Sequence, residues 1–350
     1  MLRGCKIRND YARDLAILSS KGRWISVAVL LCVLVGLPFF LQATRNANWI
    51  TFFNFTSITI IAVLGLNILS GMAGQISMGH AAFLLVGGYC MGMLSVEAGM
   101  PFWLAVPLAT LITGILGVAV AVPALRLKGF YVVIVTLAFF YIAQYIIRNL
   151  PWSGGTSGII GIAPPQIGDL IIRSDIQWYF LLLVAMLIAV MASANVSRSR
   201  LGKAFLAVRD NETAAAGLGI NVPVAKIQAF FIGSLFAGLA GALWAGYVSL
   251  VRIDQFTIWD SIWFLGMVYI GGAGSTAGAV VGVLFLRLVN QVLRVAQTSG
   301  WIDLSSNVTA YLTYILFGLI IILFFSFKPN GLISVWRQFR TNYKRWPFGV

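Results

Sequence analysis

The fold class this sequence predicts is an all-α, polytopic integral membrane helix bundle. Three observations carry that expectation. Of the 350 residues 60% are hydrophobic, only 10% are charged, and the apolar residues gather into long runs separated by short polar gaps. A water-soluble domain is about 25% charged. A chain this apolar has too little polar surface to cover a core in water, so the bilayer is its solvent.

A hydrocarbon core of about 30 Å needs about 20 apolar residues as helix. That length picks out runs near 24–41, 50–69, 80–96, 102–122, 129–147, 177–194, 227–250, 258–271, 276–297 and 308–327, about ten spans, with 80–96 and 258–271 short. The first run follows a basic segment, as a secretory signal would. No small-x-small cleavage site follows it, so it reads as an uncleaved signal-anchor.

Lys and Arg placement sets the orientation. With ten spans and the N-terminus inside, the inner segments hold eighteen Lys/Arg, the outer gaps hold four (Arg45, Arg148, Arg173, Arg252), and Arg287 and Arg294 fall in a span, which accounts for all 24. That asymmetry places both termini in the cytoplasm. The organisation is a basic cytoplasmic segment 1–23, a transmembrane domain 24–327 with an external loop 148–176 and a cytoplasmic loop 195–226, and a basic cytoplasmic tail 328–350. The net charge of +14 follows from this rule. It makes no helical stripe with interleaved aromatics, so it predicts membrane lipid and no nucleic acid as partner. Cys5, Cys32 and Cys90 have neither metal nor disulfide spacing.

The external loop contains PWSGGTSGIIGIAPP, whose Gly and Pro density argues against regular structure. The inner loop, RSRLGKAFLAVRDNETAAAGLGINVPVAK, reads as helix. Leu201, Phe205 and Val208 recur at i, i+4 and i+7. Ser199 or Ser197 caps the start, and Gly217, Gly219 and Pro223 end it. In the 227–250 run, Gly233, Ala237, Gly241 and Ala245 form one small-residue ladder and Ser234, Gly238, Ala242 and Gly246 a second. Such ladders let another helix approach closely. Gly278 and Gly282 repeat the pattern.

No chemistry-bearing motif emerges. GGAGSTAG at 271–278 lacks the lysine of a phosphate-binding loop, and HExxH, GxSxG and metal clusters are absent. No catalytic or metal-binding residue is expected. Ion-coupled transport usually needs Asp, Glu or His inside the membrane. Glu97, Asp254, Asp260 and Asp303 fall at outer ends or in short loops, leaving His80 at the start of a span.

Two features stand out. Arg287, Asn290, Gln291 and Arg294, at i, i+3, i+4 and i+7, form one polar stripe on a span. Two readings are open: the stripe lines a pathway or subunit interface, or the arginines snorkel to the outer boundary. The second feature is a pair of glycine breaks. Asn67, Gly71, Gly74, Gln75, Ser77 and His80 interrupt the chain between two runs, and Gly271, Gly272, Gly274 and Ser275 do so about 200 residues later. Paired Gly-interrupted segments point to broken helices near a substrate route. The half-helix after a break offers free N–H groups and a positive dipole end.

Four stretches carry a family resemblance: LGLNILSGMAGQISMGHAAFLLVGGY (64–89), GGTSGIIGI (154–162), SRLGKAFLAVRDNETAAAGLGINV (199–222) and YIGGAGSTAGAVVGVLFL (269–286). They resemble the membrane permease subunit of branched-chain (hydrophobic) amino-acid ABC importers, over roughly residues 50–327. The resemblance implies a type II ABC importer-like bundle in the bacterial inner membrane. Its implied partners are a sister permease subunit, two cytoplasmic ATPase subunits and an external solute-binding protein. ATP and Mg would reside on the partner subunits, with no cofactor on this chain. The inner helix then looks like a coupling helix. Arg209, Asp210, Glu212, Ala214, Ala215, Gly217 and Gly219 are its candidate contacts, with Arg209, Asp210 and Glu212 facing partner charges. The implied cargo is branched-chain or other amino acids; urea or short amides are the alternative within the family. An ion-coupled secondary transporter is the alternative outside it.

Overall fold

The computed structural model describes residues 21–43, 47–127, 129–155, 157–298, 306–327, 331–334 and 338. Most of the basic segment 1–23, most of the tail 328–350, and Asp303 lie outside them. The chain divides into two compact units, 1–51 and 52–350.

Helix α1 (Lys21–Ala43) belongs to the first unit, and α2 (Ala47–Leu66) starts there and runs into the second. The helices α3 (His80–Val96), α4 (Phe102–Ala124), α5 (Tyr131–Asn149), α6 (Asp175–Arg198), α7 (Arg200–Asp210), α8 (Glu212–Gly217), α9 (Val222–Val248), α10 (Ile258–Gly271), α11 (Thr276–Thr298) and α12 (Ser306–Phe327) follow. Each of the ten apolar runs coincides with one helix. Among the described residues six helical segments are long and apolar enough to cross a membrane: Asn48–Met72, Phe102–Ala124, Tyr131–Asn149, Asp175–Arg198, Val222–Val248 and Thr276–Val295. Large apolar side chains such as Ile115, Ile142, Ile188 and Ile322 are more than half exposed. In water that would be costly; against lipid tails it is not.

Helix α9 is the centre of the second unit. Lipid gives helices no hydrophobic reason to associate, so contact must come from close packing. The small-residue ladders provide it. A side chain at Gly65 of α2 would meet the Gly233 carbonyl at 2.6 Å, and one at Gly238 would meet Thr113 of α4 at 2.6 Å. A side chain at Gly87 would strike the backbone of Gly238, and one at Gly241 the Leu84 carbonyl, both contacts with α3. Gly246 takes the ring of Phe102. Residues at the α9 seams are alanine, glycine or serine because the facing backbone occupies the space a larger side chain needs.

Three expectations need correction. The 50–69 run does not end at 69: a π-turn, Asn67–Met72, extends it. The external loop has regular structure, with strand β1 (Ile159–Ile160), strands β2 (Gln166–Ile167) and β3 (Leu170–Ile171) paired antiparallel, and a short 3-10 turn at Pro151–Ser153. β1 pairs with β4 (Leu250–Val251), matching Ile159 with Val251. Sequence periodicity misses two-residue strands because they carry no period. The inner loop is two helices. Asn211 is extended and its side-chain oxygen accepts from the Thr213 and Ala214 N–H groups, so α8 starts afresh there.

Candidate functional site

The candidate site grows from the π-turn. A π-turn inserts one residue into the helical ladder and is common at functional positions. It points the Asn67 side chain across to the second glycine break. The Asn67 Oδ1 accepts from the Gly274 N–H at 2.8 Å, joining residues 207 apart in sequence. Both breaks therefore meet at one point. The approach is tight, since a side chain at Gly71 would meet the Gly274 amide at 2.5 Å.

The inner loop closes on the same point. Ser199 is the single residue between α6 and α7. Its hydroxyl accepts from the Gly202 N–H at 3.2 Å, so of the two candidate serines it is the cap. Phe205 and Val208 are fully buried while Leu201 is exposed, so the predicted apolar stripe is used at two of its three positions. Burying that face aims Arg209 at the breaks. Its guanidinium donates to the Gly71 carbonyl at 2.8 Å and pairs with Asp210 at 3.2 Å. The Arg209 side chain runs past Gly74 and ends beside Gly274. Asp210 is thus engaged within the chain.

Glycine is required at Gly74 on two counts. Its φ is +70°, and any side chain there would sit 2.7 Å from Arg209 Cγ. Leucine in that backbone region costs roughly 1–2 kcal/mol before any clash. Gly74→Leu is therefore expected to lower the thermal unfolding midpoint of the purified protein. An unchanged midpoint would make the position dispensable.

The rest of the first break is buried in protein. The Ser70 hydroxyl donates to the Gln75 carbonyl and accepts from the Ser77 N–H. His80 is fully buried, with its Nε2 2.9 Å from the Ala62 carbonyl and its ring edge-on to Phe83 and Phe264. At the start of α3, where free N–H groups are expected, one is taken by a side chain of a neighbouring helix, and so is one just ahead of it. Ala81 N–H donates to the Ser261 hydroxyl at 2.9 Å and Met78 N–H to the Thr136 hydroxyl at 3.2 Å. Neighbouring helices α10 and α5 supply these two acceptors. Ser275 does the same for α11, accepting from the Gly278 N–H. Gly272 of the second break is approached by Gly331, beyond α12, and Gly271 packs against Gly278.

Four buried polar atoms in this stretch have no hydrogen-bond partner among the described residues: Asn67 Nδ2, Gln75 Oε1, Ser77 Oγ and His80 Nδ1. An unpaired buried polar atom costs about 1–3 kcal/mol. Four of the eight such atoms among the described residues fall in these fourteen residues.

The remaining predicted residues separate. Glu212 does not reach outward: its carboxylate pairs with Lys226 of α9 at 2.7 Å, and Lys226 is only 3% exposed. Nothing in the sequence marks Lys226, which reads as an ordinary loop-end lysine. Ala215 is buried, while Ala214, Gly217 and Gly219 are exposed beside Leu218, itself 80% exposed. In the polar stripe, Arg287 turns to the Thr59 hydroxyl of α2, Gln291 is buried, and Asn290 bonds back to the Leu286 carbonyl. Asn290, Arg287 and Arg294 line a cleft of about 390 Å³ bounded by α10, α11 and α12. Among the described residues no group of three or more His, Cys, Asp and Glu side chains is placed to hold a metal.

A family model described as branched-chain amino acid transport system / permease component matches residues 48–325. The chain belongs to that permease family. Its apolar helices fit a multi-pass membrane protein. Among relatives of this permease is the high-affinity branched-chain amino acid transport system permease protein LivM of Salmonella typhimurium. It is 30% identical over 332 residues, covering 88% of this chain and 74% of the relative. LivM of Escherichia coli is 30% identical, with 81% of this chain and 69% of the relative covered. An autoinducer 2 import system permease protein, LsrC of Salmonella paratyphi B, is 26% identical over 61% of this permease and 62% of its own length. No solved structure matches this permease significantly.

Proposed function

We propose that this chain is the membrane subunit of an ATP-driven importer for branched-chain or other amino acids, delivered by an external solute-binding protein. In this reading all ten apolar runs lie in the bilayer of the bacterial inner membrane and both termini are cytoplasmic. A sister permease completes the channel, and two ATPase subunits supply ATP and Mg.

One observation carries the reading: Arg209 of the inner loop is bonded to Gly71 and sits beside Gly274, the two glycine breaks. A loop helix that only lay on the membrane would not need to reach them. The exposed tip at Gly217–Gly219 is free for an ATPase groove. Behind it, α8 is stapled to α9 by Glu212 and Lys226, and α7 follows α6 through one residue. A push on the tip therefore travels through short, packed contacts into the breaks. Family membership and the LivM relatives support an amino-acid cargo.

The test is uptake of radiolabelled leucine into proteoliposomes holding this chain, its sister permease, the ATPases and the binding protein. Uptake that requires ATP and all four components is expected. Uptake by this chain alone that collapses with an ionophore would replace the reading by ion-coupled transport. Uptake of urea but not of amino acids would shift the cargo.

A further inference from the structure

The inner loop grips three helices, and the same three are tied together again at their other ends. At the loop, α7 follows α6 through Ser199, Arg209 bonds to Gly71 in the π-turn that extends α2, and Glu212 pairs with Lys226 near the start of α9. At the far ends, each helix gives one polar side chain to a single cluster: Asn54 of α2, Asp175 of α6 and Tyr247 of α9. Asn54 lies thirteen residues before Asn67, and Tyr247 twenty-one residues after Lys226. Those separations are about 20 and 30 Å along the helices. Asp175 and Arg198 are the two ends of α6. Nearer the loop, α2 crosses α9 backbone against backbone at Gly65 and Gly233. The two meeting points make α2 and α9 antiparallel.

The Tyr247 hydroxyl is the hub of the cluster. It donates to Asp175 Oδ1 at 3.0 Å and accepts from Asn54 Nδ2 at 3.3 Å. Asn54 Nδ2 also donates to the Asp175 carbonyl at 3.0 Å. Each pair of the three helices thus shares a hydrogen bond. The partners are held in place. Asp175 stands in the first turn of α6, whose start is capped by Ser174 and Gln177, and the helix dipole favours a carboxylate there. The Tyr247 ring lies edge-on to Phe55 and Trp178, with centroids 5.3 and 5.5 Å apart. Asn54 is fully buried. A buried amide whose partners move away has no water to replace them, so separating these ends is costly.

We propose that Asn54, Asp175 and Tyr247 form a clasp about which α2, α6 and α9 pivot, holding their far ends together while the inner loop displaces their near ends. The proposal rests on the coupling reading above and gives that coupling its fixed point. A packed helix pushed at one end tilts if its other end is held, and slides if it is not. With the clasp closed, displacement of the loop is spent at the near ends, where the two glycine breaks lie.

The experiment uses the permease pair with its ATPases in phosphatidylcholine nanodiscs, with Cys5, Cys32 and Cys90 replaced by alanine. Nitroxide labels are attached at Arg173→Cys and Asp254→Cys, just beyond the far ends of α6 and α9, or at Asn195→Cys and Val224→Cys, at their near ends. All four positions are exposed. Pulsed double electron–electron resonance reads each distance without nucleotide and with ATP and vanadate. The near-end distance is expected to shift with ATP and the far-end distance to stay fixed. Tyr247→Phe keeps the ring and removes two of the three hydrogen bonds. It should let the far-end distance shift with ATP, leave the near-end distance without nucleotide unchanged, and lower ATP-driven leucine uptake about tenfold, the worth of two ordinary hydrogen bonds. A merely structural role would broaden both distances even without nucleotide, and that result overturns the clasp. So does a far-end distance that shifts in the wild type as much as the near-end one, or that stays fixed in Tyr247→Phe. A near-end distance that ignores ATP in the wild type discards the coupling reading, and the pivot with it.

Discussion

Lys226→Ala is expected to destabilise the inner loop by about 3 kcal/mol, the low end for breaking a buried ion pair. Lys226 is 3% exposed and its ammonium lies 2.7 Å from the Glu212 carboxylate. Glu212 is 27% exposed and keeps part of its water, which is why the upper end of that range is not reached. Removing the lysine leaves a half-buried carboxylate against the end of α9. The α8 helix, only six residues long, has little of its own to hold it: isolated helices of that length do not form. Hydrogen exchange over residues 211–221 is expected to accelerate about a hundredfold, and ATP-driven uptake should fall in step. Glu212→Lys should be worse, since it sets two ammonium groups together. Removing both charges, as Lys226→Met with Glu212→Gln, should recover most of the protection. Protection unchanged in Lys226→Ala would show that the pair does not hold the loop.

Arg209→Ala is expected to separate ATP hydrolysis from uptake. The residue gives up a charge-assisted bond to the Gly71 carbonyl, worth about 1.5–3 kcal/mol, and the contact between loop and breaks goes with it. Uptake should drop at least about tenfold in proteoliposomes while hydrolysis by the assembled complex persists, because the exposed tip at 217–219 is untouched. Lysine should rescue only in part. It carries the charge but lacks the planar fork that serves Gly71 and Asp210 at once. Asn67→Ala cuts the bridge between the breaks instead and should show the same separation. Full uptake in both variants would mean that force passes from loop to bundle elsewhere.

Both effects concern residues of unequal legibility. Arg209 stands inside the one loop motif that the sequence marks out, and Asn67 inside a conspicuous glycine break. Their meeting was not visible, because it spans more than 130 residues in one case and 207 in the other. Lys226 carried no local signal at all. A lysine after a loop is an ordinary surface choice, and only burial makes it unusual. The π-turn was hidden for another reason: it changes the hydrogen-bond register without changing the apolar pattern. From the sequence Glu212 and Asp210 read as charges without partners in the chain, because Lys226 is brought to Glu212 only by the fold and the pairing of Arg209 with Asp210 has no signature in spacing.

What the sequence by itself determined is the solvent, the helices and their seams. Hydropathy depends on composition over about 20 residues, and small-residue ladders repeat every four, so both are local properties. The tertiary structure alone decided which polar groups meet. It closed two glycine breaks onto each other, laid Arg209 across them and buried Lys226. A hydrogen bond or ion pair is decided within a few ångströms, and no spacing along the chain encodes such a distance between helices that are far apart in sequence.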